Sequence, residues 1–339
     1  MTWMAWRLQR SVSLFFVVLS LILIAYAMVR GLNIEALRHQ WLGQPCHGGN
    51  GFSVKYQHLC QTQFNEYSAA VASGVYIHWF ATLPTAALGL LLGASTVAGE
   101  IDHNTVRTAW TQSVTRGRWF MTKVVVGVGS LVALAIPLCV TTSWWLHASQ
   151  WTPRLSSDGF TYAGWLPLVT GIFAFAAATT IGTILRRPGW ALAVGLGVMV
   201  LVTWTMQTEV RAHLVPLNST TITMTPVTKK GVTIDEQSGQ APANAWVIFG
   251  GYEPVTYGTA VPTRREEDQW SEAINQCTRG LPVSKVDASC QNKLDLRVVQ
   301  LYVADSEYWT LQLREGGLYL AGAGLLLVAG FLLVRRIVA

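Results

Sequence analysis

The chain has 339 residues, of which 51% are hydrophobic and only 12% charged, and its mean hydropathy is positive. This balance excludes an ordinary soluble domain and describes a protein whose main solvent is lipid. The net charge of +6 does not point to nucleic acid, because the basic residues concentrate in short segments between apolar runs, where they orient membrane helices.

Six runs are long enough to cross a hydrocarbon core of about 30 Å at about 1.5 Å per helical residue. They are Ser11 to Val29, Gly74 to Ala98, Val124 to Leu146, Leu166 to Leu185, Gly189 to Met206 and Gly317 to Val334. Their cores carry no Asp, Glu, Lys or Arg. Backbone polar groups in lipid must be satisfied within the segment, so all six are expected to be helices rather than barrel strands. The first run, preceded by Arg7 and Arg10, has a small-x-small site at Ala25-Tyr26-Ala27. That site lies inside the apolar stretch instead of after it, so the run is expected to stay as a span and not to be a cleaved signal. The fold expected is an all-α polytopic membrane bundle of six spans with an extracytoplasmic mixed α/β insert between the fifth and sixth. Residues 1–207 would form the membrane domain, 208–316 the insert, and 317–339 the last span and tail.

An even number of spans puts both termini on one side. If that side is the cytoplasm, it holds Arg7, Arg10, Arg107, Arg116, Arg118, Lys123, Arg186, Arg187, Arg335 and Arg336, as the positive-inside rule requires. A multi-pass plasma-membrane protein with both termini cytoplasmic is therefore expected. Trp119 and Trp190 at inner ends, and Trp144, Trp145, Trp165 and Trp204 at outer ends, read as interface anchors.

Four of the five cysteines fall on the outer side in two local pairs, Cys46 with Cys60 and Cys277 with Cys290. They read as two disulfides in an oxidising compartment. The alternative for the first pair is a zinc site in which His47 and His58 join the two thiolates, although the spacing matches no common zinc motif. Cys139 reads as a small buried hydrophobe. In the insert, Asn218 to Val232 suggests strands and Glu266 to Gln276 a short charged helix. Turns are expected near Gly231, Gly239, Gly250-Gly251 and Gly258.

The segment 99–120, GEIDHNTVRTAWTQSVTRGRWF, is polar, studded with aromatics and set between two spans, which suits capture by a soluble partner. The chain has no phosphate-binding loop, nucleophile elbow, His-Glu-x-x-His or dinucleotide fingerprint, so it is not expected to be an enzyme. Its uncharged spans also offer no clear ion-coupling site. An external energy source is the simpler expectation, with a self-powered carrier the weaker one.

These residues carry a resemblance. Glu100-Ile101-Asp102-His103-Asn104-Thr105, then Arg107-Thr108-Ala109-Trp110-Thr111-Gln112-Ser113-Val114-Thr115-Arg116 and Arg118-Trp119, resemble the motif after the second span in actinobacterial permease subunits of type-2 ABC transporters. The chain departs from that pattern at Gly99 and Asn104. The start, Met1 to Arg7, the stretch Tyr308 to Gln312 and the Arg186-Arg187 pair are similar as well.

The resemblance implies an exporter permease for a hydrophobic or amphipathic substrate such as a drug, antimicrobial peptide or lipid-like compound. A separate cytoplasmic ABC ATPase would carry ATP and Mg, with no cofactor in this chain. A second permease chain, identical or paralogous, and membrane lipid would be the other partners. It makes 99–120 the ATPase-coupling segment, with Glu100, Asp102, Thr105, Arg107, Trp110, Gln112 and Arg116 as its candidate residues. Trp110 would be the anchor, Arg107 and Arg116 directional donors, and Glu100 and Asp102 acceptors for basic partners; the other reading of the two acids is that they open a helix through its dipole. The second and fifth spans would flank the route, nominating Phe80, Leu83, Ala87, Met199 and Thr203. Gly89-x-x-x-Gly93, with Ala174, Ala178 and Gly182, reads as close helix packing within one subunit more than as a dimer seam. The alternative function is a membrane sensor or scaffold whose outer domain binds a ligand and signals inward.

Overall fold

The computed structural model describes residues 2–42, 54–102, 115–149, 154–229, 232–242, 244–257, 261–278 and 293–336. Among them are six helical segments long and apolar enough to cross a membrane: Val12–Leu42, Val75–Glu100, Arg116–Ser149, Leu166–Leu185, Pro188–His213 and Asp305–Arg336. The helices are α1 (Thr2–Leu42), α2 (Val54–Ser73), α3 (Trp79–Asp102), α4 (Arg116–Ser149), α5 (Ser157–Tyr162), α6 (Leu166–Leu185), α7 (Pro188–Thr205), α8 (Arg264–Thr278) and α9 (Tyr308–Arg336). The strands are β1 (Asn218–Thr221), β2 (Thr223–Lys229), β3 (Val232–Ser238), β4 (Trp246–Pro254) and β5 (Leu296–Val303). The chain is mostly helical with a small sheet, so the expectation of strands as well as spans is met.

By its contacts the chain forms two compact units, one of Met1–Thr152, Asp158–Glu209 and Gln312–Ala339, the other of Pro153–Ser157 and Val210–Leu311. In the first, α6 is the hub, buried over most of its surface, with α3, α4 and α7 against it. The α3–α6 contact is the most extensive and is made by small residues. A Cβ at Gly89 would overlap the Gly171 carbonyl oxygen and one at Gly93 that of Phe175, while Ala174 and Ala178 face the same two glycines. The close approach lets Thr85 Oγ1 donate to Pro167 O at 3.1 Å and Thr179 Oγ1 to Gly93 O at 3.3 Å. The small-residue pattern therefore packs helices within the chain, as the sequence suggested. α9 meets α6 through Thr180 Oγ1, which donates to Leu326 O at 2.7 Å, and through the Phe173–Tyr319 ring pair at 5.7 Å.

α1 is one continuous helix of 41 residues, about 60 Å long at about 1.5 Å per residue, and so outruns a hydrocarbon core of about 30 Å. Its far end carries Trp41, which stacks on Tyr67 of α2 at 5.6 Å and lies 5.5 Å from Phe64. Tyr67 then donates to Ser149 O at 2.5 Å. The sequence did not single out α2 as a helix, because its apolar face is short and interrupted by polar residues.

Several expectations need correction. Trp145 is fully buried against Ala27, Ile34, Val71 and Ile77, and Trp119 is buried too; both are core residues and not interface anchors. Trp190 and Trp204 do remain exposed. Gly250-Gly251 makes no turn but lies within β4, paired with Gln300 and Val299 of β5 just after a register shift between Val247 and Phe249. A Cβ at Gly251 would meet the Phe249 ring at 3.0 Å, so glycine there leaves room for that side chain. Gly239 follows β3 with φ of +82°, the left-handed conformation that glycine adopts at least cost. Gly231 and Gly258 lie outside the described residues.

The second unit contains an antiparallel sheet in the order β1-β5-β4, and β2 and β3 form a two-stranded pair. β5 alternates inward Val299, Leu301 and Val303 with more open positions, the period of a half-buried strand. On it Glu253 of β4 sits directly opposite Arg297, whose Nε and Nη2 donate to Oε1 at 3.1 and 2.7 Å. Arg154 makes a fork on Asp305, with Nε to Oδ1 at 2.6 Å and Nη2 to Oδ2 at 2.5 Å.

Of the three described cysteines only Cys139 is free, and it is buried as expected. Cys60 and Cys277 are disulfide-bonded. The partners expected for them, Cys46 and Cys290, lie outside the described residues. No metal-binding group of His, Cys, Asp and Glu forms among the described residues.

Candidate functional site

The polar segment singled out in the sequence joins the end of α3 to the start of α4. Thr105, Arg107, Trp110 and Gln112 lie outside the described residues, as does the side chain of Asp102. What the structure describes are the two roots.

Glu100 and Asp102 stand in the last turn of α3; the helix that the two acids were expected to open would follow them, outside the described residues. A carboxylate there opposes the helix dipole, whose C-terminal end is negative. Lys123 of α4 supplies the compensating charge: its ammonium donates to Glu100 Oε1. The two side chains are only 8% and 15% exposed, and the same Nζ lies 5.2 Å from the centroid of the Trp119 ring, within cation–π range. Trp119 belongs to a core with Phe16, Leu92, Phe120, Phe175 and Val334, which come from α1, α3, α4, α6 and α9. The ammonium is thus held by a carboxylate and an indole face at the edge of the bundle's apolar core. Removing one partner of such a pair strands a buried charge, at a cost of about 3–5 kcal/mol.

Arg116 opens α4, where its charge is unfavourable toward that helix's own dipole. Its Nη1 donates instead to Arg335 O at 3.3 Å, at the negative C-terminal end of α9. The same seam places Gly117 beneath the Phe331 ring, which a Cβ would meet at 3.0 Å, and Phe120 6.1 Å from Phe331. Glu100 and Arg116, expected to face a partner, are therefore both engaged inside the chain.

The sequence reading missed Lys123 as a counter-charge and treated it as a topology signal. The clue was its place three residues after Phe120 and directly before Val124, inside the start of an apolar helix, where an ionisable side chain needs a partner.

The five route candidates differ in exposure. Leu83 and Ala87 are exposed and share a stripe of α3 with Trp79 and Leu91, four residues apart and hence on one face. Phe80 is half-buried, 6.0 Å from the Tyr26 ring. On α7 Met199 is buried and Thr203 half-buried. Near the start of α9, Gln312 is fully buried and its Nε2 donates to Phe160 O at 3.3 Å and Ala163 O at 3.2 Å, so this residue of the Tyr308-to-Gln312 stretch holds α9 against the approach to α6.

In comparison with known families, residues 16–211 match the family described as ABC-2 membrane transporter related. The match takes in the greater part of each of the first five apolar helical segments and the whole of the stretch between α3 and α4. No curated protein and no solved structure matches the chain.

Proposed function

The chain belongs to the ABC-2 membrane transporter related family, and from that premise we propose that it is the permease subunit of an ATP-driven exporter. It is a multi-pass membrane protein and a component of a membrane transporter, a class of subunit that is not itself catalytic and that works with an ATP-binding partner. In the reading proposed here, residues 99–120 lodge in a cytoplasmic ABC ATPase, with Trp110 as the buried anchor and Arg107 as a directional donor. ATP and Mg are held by that partner, and a second permease chain, identical or paralogous, completes the transporter. The substrate is hydrophobic or amphipathic, in keeping with the apolar exposed stripe of Leu83, Ala87 and Leu91. Both termini are cytoplasmic, the second unit lies outside the membrane, and Cys46 pairs with Cys60 and Cys277 with Cys290.

The observation that carries this reading is the family match across the polar segment. It is tested by purifying a tagged chain from its native membrane in mild detergent, identifying what accompanies it, and measuring vanadate-sensitive ATP hydrolysis. A P-loop ATPase in stoichiometric amount is expected. Trp110→Ala should weaken its recovery by about 30-fold, the size of an anchor worth about 2 kcal/mol. Recovery of a kinase or protease with no nucleotide dependence would instead favour a sensor.

A further inference from the structure

We propose that Glu100 and Lys123 are a positioning pair that ties the end of α3 to the start of α4, on either side of the polar segment, so that both helices answer as one body to force applied between them. The inference rests on the reading that the segment between them engages an ATPase, and it reassigns Glu100 from contacting that partner to holding the lever's roots.

Three observations carry it. The Glu100 carboxylate is turned inward, largely shielded, and already matched by an ammonium from the other helix. A charge paired in a poorly hydrated site is held more firmly than one at an open surface, because Coulomb attraction grows as the dielectric falls. Lys123 is further fixed by the Trp119 ring, and Trp119 is packed into the core that joins α1, α3, α4, α6 and α9, so the ammonium has little freedom to follow a different carboxylate. The Arg116 donation to Arg335 O extends the same connection to α9.

The test places spin labels at Leu91→Cys on α3 and Val125→Cys on α4, both exposed positions, in a background with Cys139→Ala, and reads the label–label distance distribution by dipolar spectroscopy. In the otherwise unmodified complex the distribution is expected to be narrow and unchanged by ATP with vanadate. Glu100→Gln should at least double its width with and without nucleotide and lower ATP hydrolysis by the complex at least threefold, while the ATPase is recovered in unchanged amount. The swap Glu100→Lys with Lys123→Glu should restore the narrow width. Where the single variant does not run as a monodisperse species, Glu100→Gln with Lys123→Met leaves no stranded charge and should fold with the broadened distribution. An unchanged width in the single or neutral-pair variant, or a swap that does not restore it, overturns the proposal. So does loss of ATPase recovery at unchanged width, which would make Glu100 a direct contact. If no ATPase accompanies the unmodified chain, the permease reading fails, and the nucleotide-free widths still decide whether the pair holds the helices.

Discussion

Gly89 and Gly93 show at the residue scale how little tolerance the α3–α6 contact has. Carbonyl oxygens of Gly171 and Phe175 occupy the places their Cβ atoms would need, and backbone oxygens cannot move aside as a flexible side-chain end can. Gly89→Ala or Gly93→Ala should lower stability by about 1–3 kcal/mol, the usual range for overpacking. Gly129→Ala, which meets nothing within 4 Å, should be neutral or slightly stabilising. Thermal unfolding of the purified protein in detergent checks this, and equal melting temperatures for Gly89→Ala and Gly129→Ala would remove the packing argument. The pattern of small residues was legible in the sequence because their spacing repeats each helical turn. Lys123 was not, because its partner is 23 positions away and only the pairing of α3 with α4 brings the two together.

At the element scale α8 is the clearest case of a helix specified by its first residues. Thr263 and Glu266 form a reciprocal capping box: Glu266 Oε2 accepts from Thr263 Oγ1 at 2.7 Å and from Thr263 N at 2.8 Å. The Thr263 hydroxyl and then its backbone N–H hold the Glu266 carboxyl below its ordinary value, with a further contribution from the Tyr257 hydroxyl, 3.0 Å away. A carboxyl whose folded value is depressed contributes stability above its unfolded value and loses it as pH falls through the folded one. The first turn of α8 should therefore lose protection only as pH falls below the ordinary carboxyl range and through the depressed folded value, and Glu266→Gln should reduce that dependence. Hydrogen exchange of the amides at the start of α8, followed from neutral to acidic pH, reads both effects; a turn equally protected at both would contradict them. The charged pattern of Glu266 to Gln276 was enough to expect this helix. The same composition-based reasoning failed at Gly250-Gly251, since glycine marks a turn or a strand irregularity alike and only the β5 ladder distinguishes the two.

At the scale of the whole molecule, six apolar helical segments and the concentration of Lys and Arg in alternate connections predict the sidedness of the chain. Arg118 and Arg265 are exposed positions in the first and second units. With a membrane-impermeant maleimide on intact cells, Arg265→Cys should react at once and Arg118→Cys only after permeabilisation. Peptide mapping without reduction on the same material should recover Cys46 linked to Cys60 and Cys277 linked to Cys290. Reaction of both positions from one side would break the six-span topology, and the reverse pattern would invert it.

The sequence by itself determined that this protein's main solvent is lipid and that six of its segments are long and apolar enough to cross it. Those follow from long uninterrupted apolar runs, a property of neighbouring residues that needs no knowledge of distant ones. It also determined the distinct polar segment between the second and third of these runs, which lies within the residues that match the family. Only the tertiary structure decided what those residues touch: that Trp119 and Trp145 are core, that Arg116 caps α9, and that Glu100 is met by Lys123. Burial and charge pairing depend on which helices become neighbours, and helix neighbours are set by close packing across the bundle, which no local pattern of one span contains.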